Sequence, residues 1–315
     1  MKKILSVFLI VLLLASFMSG CGCKHEWEDA TCEDPETCEK CGETRGETGD
    51  HKWKDATCKR PKTCKTCGKT KGKPVDHKWQ NDICTKCGAS LLDSILSSGK
   101  LTVATSPDYP PFESLEDGKV VGIEVDIMAL VCADLGVELE FEQMDFDSVL
   151  NGIQAAKYNC AASGITVTPT REKDMLFTAP YYSAAQVIVV REGSAIKAKA
   201  DLEGKTVSVQ TGTTAEWNCQ DAGLVVWACN SDIDAKVALT TGKVDAWVVD
   251  GLTARLMVKE GEDLVILSET LYEENYAFAF PKGSEALVAK INPILERMIA
   301  DGTVARIFAK YGEAY

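Results

Sequence analysis

The chain has 315 residues, of which 45% are apolar, and a formal net charge of -13. This length is enough for a full core and predicts more than one domain. The acidic excess lies in residues 91–315, with 18 Lys/Arg against 34 Asp/Glu, whereas residues 21–90 are nearly balanced with 14 against 13. Because the larger region lacks the basic face that a phosphate backbone requires, we expect no nucleic-acid partner.

The first 20 residues have the pattern of an export signal. Lys2 and Lys3 precede an apolar run from Ile4 to Met18, which is short for a membrane span and typical of a secretory signal. Ser19-Gly20-Cys21 resembles a bacterial lipobox, which implies cleavage before Cys21 and lipidation of that cysteine. A retained anchor helix and a plain signal peptide are the alternatives. We therefore expect a lipid-anchored protein on the outer face of the cell membrane.

Residues 21–90 contain a repeat. His25, His51 and His77 are spaced by 26 residues, and each begins a His-x-Trp sequence. Cysteines at 32, 38 and 41 follow the first copy, and those at 58, 64 and 67 follow the second. The third copy keeps only Cys84 and Cys87, as a shortened terminal repeat often does.

The cysteine spacing favours zinc over disulfides. Each copy ends in Cys-x-x-Cys-Gly, a gap that lets two thiolates face one tetrahedral ion. Nine cysteines and three histidines then make three Cys3His sites, and our preferred partition is Cys32, Cys38, Cys41 and His51; Cys58, Cys64, Cys67 and His77; Cys23, His25, Cys84 and Cys87. In a rival partition each His pairs with the cysteines after it, which leaves the last site one ligand short. A disulfide-stapled spacer and a metal-storage segment stay open as alternatives.

A segment of about 70 residues with so few aliphatic side chains cannot fold by burial alone, so bound metal is expected to supply the folding free energy. Four protein ligands close a zinc site, which predicts a structural and not a catalytic role. The repeat resembles zinc-ribbon-like modules of extracellular bacterial proteins.

Residues 91–315 alternate apolar strands with amphipathic helices, which predicts an α/β domain with mainly parallel sheets. The expected strands are 101–105, 138–144, 160–164, 186–191, 206–210, 225–229, 245–250, 264–267 and 276–281. The expected helices are 124–135, 146–157, 213–222, 232–241, 252–260 and a last helix from Ser284 onward. Pro293 is expected to bend or break this last helix.

Nine short motifs follow one another along this region: Leu101–Thr105, Tyr109–Phe112, Gly122–Asp126, Met144–Phe146, Ser163–Thr166 with Arg171, Phe177–Tyr182, Gln210–Thr214, Gly242–Asp250 and Ala277–Gly283. In this order they resemble the amino-acid-binding family of solute-binding proteins that supply ABC importers. The resemblance implies a periplasmic-binding-protein fold of two lobes joined by two crossings, with ligand bound between them. We expect lobe one to comprise 91–188 plus 278–315 and lobe two 189–277.

An amino-acid zwitterion requires a cation and an acid in a dry cleft. The resemblance assigns the carboxylate to Arg171, helped by Thr166 and by the backbone of Thr213 and Thr214 at a helix N-terminus. It assigns the ammonium to Asp250 and the Gly164 carbonyl. An ion pair of Arg171 with Glu172 or Asp174, and a helix cap for Asp250, are the structural alternatives. The remaining predicted site residues are Ser106, Tyr109, Phe146, Ser163 and Gln210.

Ser106 and Gln210 lead us to expect a neutral or polar amino acid, because many relatives that prefer basic ligands carry an acid at the first position. Cys132, Cys160, Cys219 and Cys229 are expected to be buried thiols, with a Cys219–Cys229 bridge as an alternative. Because every histidine lies in the repeat, a Cys-His nucleophile is excluded in residues 91–315, and we expect a binding protein and not an enzyme. A dehydratase of the same fold that acts on cyclic precursors of aromatic amino acids, and a metal-responsive sensor, are the rival functions.

Overall fold

A computed structural model describes residues 23–80 and 83–315. The predicted signal segment and Cys21 lie outside the described residues. The chain divides into two compact units, Met1–Asp76 and His77–Tyr315. Within the described part, no helix has the length and apolar character needed to cross a membrane.

The first unit contains two copies of one small antiparallel sheet. The first copy consists of β1 (Trp27–Glu28), β2 (Glu36–Cys38) and β3 (Thr44–Arg45), and the second of β4 (Trp53–Lys54), β5 (Lys62–Cys64) and β6 (Thr70–Lys71). Tryptophan and cysteine pair in both, as Trp27 with Cys38 and Trp53 with Cys64. Gly42 and Gly68 follow the Cys-x-x-Cys sequences with φ of 74° and 75°, a conformation that favours glycine.

The shortened third copy belongs to the second unit. It forms the hairpin β7 (Trp79–Gln80) and β8 (Ile83–Cys84), again with tryptophan opposite cysteine, and leads into α1 (Leu91–Ser98). Trp79 packs against the main apolar core of this unit, which also contains the buried Leu91 and Ile95 of α1. The division therefore falls before the third copy, whereas the sequence led us to place it at residue 90.

A first sheet lies in the first lobe of the second unit. In the order β13-β9-β14-β21-β15, its strands are β9 (Lys100–Thr105), β13 (Glu138–Gln143), β14 (Cys160–Ala161), β15 (Met175–Phe177) and β21 (Ala279–Pro281). A small meander consists of β10 (Asp108–Tyr109), β11 (Glu113–Glu116) and β12 (Lys119–Val121). The helices are α2 (Ile123–Leu135), α3 (Phe146–Gln154), α4 (Arg171–Asp174), α8 (Glu285–Ala300) and α9 (Thr303–Lys310).

The second lobe is built on a five-stranded sheet in the order β18-β17-β19-β16-β20. Its strands are β16 (Tyr182–Arg191), β17 (Thr206–Gln210), β18 (Val225–Cys229), β19 (Ala246–Asp250) and β20 (Leu264–Tyr276). The helices are α5 (Thr214–Asp221), α6 (Asp232–Thr240) and α7 (Gly251–Met257). The two-lobed α/β fold predicted from the sequence is confirmed.

The crossings between the lobes are short. The chain leaves the first sheet after Phe177 and enters the second at Tyr182, and it returns between Tyr276 and Ala279. The strand over 186–191 therefore belongs wholly to lobe two, because Gln186 pairs with Asp250 and Val190 with Ala246. The first crossing thus precedes the expected boundary at residue 188.

The expected break at Pro293 is wrong. The helix α8 continues through this proline from Glu285 to Ala300. Proline in a helix interior costs about 3 kcal/mol. The cost is offset here because Leu287, Ile291, Leu295 and Met298 on one face of the helix are all buried in the core.

Candidate functional site

A cavity lies between the lobes of the second unit. Strands of both sheets end at it, as expected for a ligand site in an α/β fold. All eleven cleft residues predicted from the sequence line this one cavity: Ser106, Tyr109, Phe146, Ser163, Gly164, Thr166, Arg171, Gln210, Thr213, Thr214 and Asp250.

Arg171 begins α4 and is 3% exposed. Its Nη1 donates to the Thr166 carbonyl at 2.9 Å and its Nη2 to the Gly212 carbonyl, in the other lobe, at 3.0 Å. Burial lowers the pKa of Arg171 to about 10, so the guanidinium remains charged at neutral pH. Its Nε has no hydrogen-bond partner among the described residues. A buried cation with a free donor is suited to hold a carboxylate. The alternative of a surface ion pair does not fit this burial.

Asp250 ends β19 and is the residue before α7, but its side chain makes no capping hydrogen bond to that helix. Its Oδ2 accepts from the Tyr109 hydroxyl, across the cleft. Its Oδ1 is buried and has no partner among the described residues. Burial, followed by repulsion from Glu274, raises the pKa of Asp250 to about 6. The free oxygen is therefore an acceptor available to an ammonium group.

Gly164 brings the backbone close to the ring of Tyr109. It adopts φ of 55°, and a Cβ built there would lie 2.8 Å from Tyr109 Cε1. The Tyr109 hydroxyl in turn lies 2.8 Å from that of Tyr276. A side chain at position 164 would therefore displace the Tyr109 ring, whose hydroxyl donates to Asp250.

The N-terminus of α5 faces the same cavity through Thr213 and Thr214. The Thr213 hydroxyl accepts from the Glu216 N–H at 3.2 Å and donates to the Gln210 carbonyl at 2.7 Å, which fixes the turn. The first N–H groups of a helix have no partner within it and attract anions. The Thr166 hydroxyl, predicted to help the carboxylate, donates to Glu274 Oε2 at 2.9 Å.

The cavity also contains an acidic pair that was not predicted from the sequence, Asp108 and Asp232. Asp108 accepts from Ser106 Oγ at 2.8 Å, from Gln210 Nε2 at 3.0 Å and from the Asp232 N–H at 3.3 Å. Burial raises the pKa of Asp108, and burial with repulsion from Asp108 raises that of Asp232 well above its usual range. The adjacency of Asp108 to the Tyr109 motif was the available signal. Ser106 and Gln210 both donate to Asp108, so an acidic side chain is present in this part of the cavity although Ser106 itself is not acidic.

Two further acids line the cavity, Glu113 and Glu274. Glu274 accepts from Gln186 Nε2 at 2.8 Å, and Glu113 is 1% exposed with a pKa raised by burial. Among the residues that the structure describes, the lining therefore contains five carboxyl groups and a single basic side chain, Arg171. Its charge balance favours a ligand with a net positive charge.

Two Cys3His clusters lie in the first unit, and their ligand atoms are all within 4.8 Å of one another. The first contains Cys23, His25, Cys38 and Cys41, and the second Cys32, His51, Cys64 and Cys67. In the second, the Cys67 N–H donates to the Cys64 sulfur and lowers the pKa of Cys64 to about 5. Each histidine ring packs on the tryptophan two residues later, with centroids 5.1 Å and 5.0 Å apart.

In the second unit, His77 Nδ1 lies 3.5 Å from Cys87 Sγ, and Cys84 lies beside them. Our preferred ligand partition is therefore wrong. Cys23 and His25 lie with Cys38 and Cys41 instead of Cys84 and Cys87, and Cys64 and Cys67 lie with Cys32 and His51. Cys58 is buried in the first unit. Each histidine is grouped with the Cys-x-x-Cys that follows it, because the tryptophan–cysteine pairing folds each copy back on itself. The rival partition predicted this grouping but is also wrong at Cys32, which lies with His51 instead of His25.

The other four cysteines, Cys132, Cys160, Cys219 and Cys229, are buried free thiols. The alternative of a Cys219–Cys229 bridge is not formed. Burial raises the pKa of Cys219 to about 11 and that of Cys132 also to about 11, so neither is a ready nucleophile.

The family model of bacterial extracellular solute-binding proteins, family 3, matches residues 101–314. The arginine-binding extracellular protein ArtP of Bacillus subtilis is 32% identical over 234 residues, which cover 72% of this chain and 91% of the relative.

Two solved structures have the same fold. The arginine-bound form of truncated ArgBP from T. maritima is 40% identical with a TM-score of 0.63, covering 65% of this chain and 99% of that one. The ancestral amino acid-binding protein AncCDT-1, a precursor of cyclohexadienyl dehydratase, is 31% identical with a TM-score of 0.66, covering 70% and 99%.

Proposed function

Since the chain belongs to the bacterial extracellular solute-binding proteins, family 3, we propose that it is an extracytoplasmic receptor that binds a free amino acid between its lobes and delivers it to the permease of an ABC importer. One observation supports this most strongly. A buried guanidinium and a buried carboxylate line one cavity, and each retains an unpartnered polar atom, Arg171 Nε and Asp250 Oδ1. These two atoms suit the carboxylate and the ammonium of an α-amino acid.

The ligand we propose is an amino acid with a cationic side chain, with arginine as the first choice. Five carboxyl groups and one guanidinium line the described part of the cavity. Burial raises the pKa of four of the carboxyl groups, those of Asp108, Glu113, Asp232 and Asp250. A second positive charge on the ligand would offset this desolvation. The arginine-binding relatives agree with this choice. It replaces the neutral or polar ligand expected from Ser106 and Gln210.

The function is tested by a thermal-shift screen of the purified protein against the common amino acids, followed by calorimetry, since a ligand raises stability by mass action. We expect arginine to bind more tightly than glutamine. Trp247 Nε1 donates to Asp232 Oδ1 at 3.2 Å, and the amide oxygen of Asp232→Asn can still accept this bond. In this variant arginine affinity should fall about 10- to 150-fold, the equivalent of about 1.5 to 3 kcal/mol for one charged hydrogen bond. Glutamine affinity should not fall. Asp234→Asn, an exposed acid of the same helix, is the control.

Zinc is the metal we propose for the Cys3His clusters. A tetrahedral zinc with sulfur at about 2.3 Å and nitrogen at about 2.0 Å sets its ligand atoms about 3.5 to 3.8 Å apart. Cys41 Sγ lies 3.4 Å from His25 Nδ1, Cys67 Sγ lies 3.5 Å from His51 Nδ1, and the sulfurs of Cys32 and Cys64 are 3.6 Å apart. Four protein ligands make such sites structural. Metal analysis of the purified chain tests this proposal.

The proposed location is the outer face of the cell membrane. The N-terminal sequence supports export followed by lipidation of Cys21, and two or more acyl chains would hold the protein stably. Labelling with a radioactive fatty acid tests this directly, because Cys21→Ser should lose the label and should release the protein into the medium.

A further inference from the structure

The first unit consists of two repeats, which we define as repeat one (residues 23–50) and repeat two (residues 51–76). The ligands of the first metal cluster all come from repeat one. The second cluster takes His51, Cys64 and Cys67 from repeat two but Cys32 from repeat one. We infer that Cys32 is a linking ligand, through which metal bound in the second cluster fastens repeat one to repeat two. This inference rests on the zinc proposed above.

A hydrogen-bonded turn presents Cys32 to the second cluster. The Thr31 hydroxyl accepts from the N–H groups of Glu33 at 3.1 Å and Asp34 at 2.9 Å, and the Thr31 N–H donates to the Asp34 carbonyl at 2.8 Å. The Gly49 N–H donates to the Thr31 carbonyl at 2.7 Å, just before the chain reaches His51. Cys32 is thereby held beside the start of repeat two before any ion binds, which reduces the entropy lost on metal binding.

The same turn recurs one period later. The Thr57 hydroxyl accepts from the N–H groups of Lys59 at 3.3 Å and Arg60 at 3.2 Å, and the Thr57 carbonyl accepts from the Val75 N–H at 3.1 Å. The same hydrogen-bonded turn therefore occurs in both full repeats, and in each the cysteine directly follows the threonine within the turn.

Other contacts between the two repeats are weak. The Lys69 ammonium lies 3.2 Å from Glu33, and both side chains are about half exposed, so this ion pair contributes little. Among the described residues, the apolar core clusters contain no residue of repeats one and two. The Cys32 sulfur is 3.6 Å from that of Cys64, and both side chains are buried. The metal and its four ligands are therefore the main connection between the repeats.

The two clusters should consequently behave differently. The first is local and open to solvent, since Cys41 is exposed, and its loss should disturb repeat one alone. The second is buried at Cys32 and Cys64, and its loss should free repeat one from repeat two. The junction between repeat one and repeat two, residues 46–50, contains Glu47, which is a cleavage site for a glutamate-specific protease.

The test uses the whole chain, loaded with Co²⁺ as a spectroscopic substitute for zinc, and two matched variants. Cys23→Ser and Cys32→Ser each remove one cysteine that precedes the Cys-x-x-Cys of its cluster. We expect the intensity of the thiolate-to-cobalt absorption to fall by a similar step in both. Cleavage at Glu47 should accelerate at least tenfold in Cys32→Ser and stay near the wild-type rate in Cys23→Ser. Cys32→His, which restores a ligand, should restore protection.

Three results separate the possible failures. If the wild-type chain binds neither Co²⁺ nor zinc, the zinc proposal fails and the inference fails with it. If the metal binds but Cys32→Ser keeps full absorption and protection, only the linking role is wrong. If both serine variants open the junction equally, or if peptide mapping finds a Cys32–Cys64 disulfide in the exported protein, the link does not depend on metal at Cys32 and the inference is overturned.

Discussion

Removal of the Arg171 guanidinium is the sharpest perturbation of the cleft. The side chain is 3% exposed, spans both lobes through its bonds to Thr166 and Gly212, and leaves Nε free. In Arg171→Ala the ligand carboxylate would be buried without its partner. Breaking a buried pair in this way costs about 3 to 5 kcal/mol. Arginine affinity should therefore fall about 150- to 5,000-fold.

The assay is calorimetry with arginine, paired with circular dichroism to establish that the variant folds. Arg171→Lys keeps the charge but replaces the planar guanidinium fork with a compact ammonium on a shorter side chain, so we expect it to recover only part of the affinity. Arg306→Ala is the control, because that side chain is 69% exposed. A folded Arg171→Ala protein that binds arginine within tenfold of the wild type would refute the assignment of the carboxylate site.

Three other predictions follow from the cleft. Asp250 accepts an ammonium only when it is ionised, and its pKa is about 6. Arginine affinity should therefore be full at pH 7 and about tenfold weaker at pH 5. Calorimetry at both pH values checks the direction of this change, and a pH-independent affinity would contradict it. Gly164→Ala should weaken arginine binding by displacing the Tyr109 ring. Gly99→Ala is the control, because Gly99 also has a positive φ but no atom lies within 4 Å of its new Cβ. This control should lower the melting temperature without changing arginine affinity. The purified protein should not dehydrate a cyclic precursor of an aromatic amino acid, as followed by absorbance; turnover that Asp250→Asn abolishes would instead establish an enzyme.

The cleft was largely predictable because its motifs are local. Arg171 and Asp250 each lie within a short recognisable sequence, and the strand that ends at Asp250 fixes where its side chain emerges. Asp108 and Asp232 were missed because their pairing depends on tertiary structure. These residues are 124 positions apart, and they meet only when the lobes approach each other.

The metal partition failed for a related reason. In sequence, Cys32 is closer to Cys38 than to His51, so spacing alone favours a shared site with Cys38. The Thr31 turn and the Gly49 hydrogen bond reverse that preference by directing Cys32 toward the next repeat. Such turns are built from side-chain to backbone hydrogen bonds, which ligand spacing does not reveal.

The return crossing of the second unit is tied directly to the binding residues. The backbone around Thr166 pairs with Tyr276, and the N–H groups of Val167 and Ala277 donate to Asn275 and Ile165 at 2.9 Å and 3.1 Å. A change in the backbone torsion angles of this crossing must therefore move the residues that bind the ligand. Substitutions in the crossing would change the fraction of molecules with closed lobes, and with it the ligand concentration needed for transport, without altering any atom that contacts the ligand.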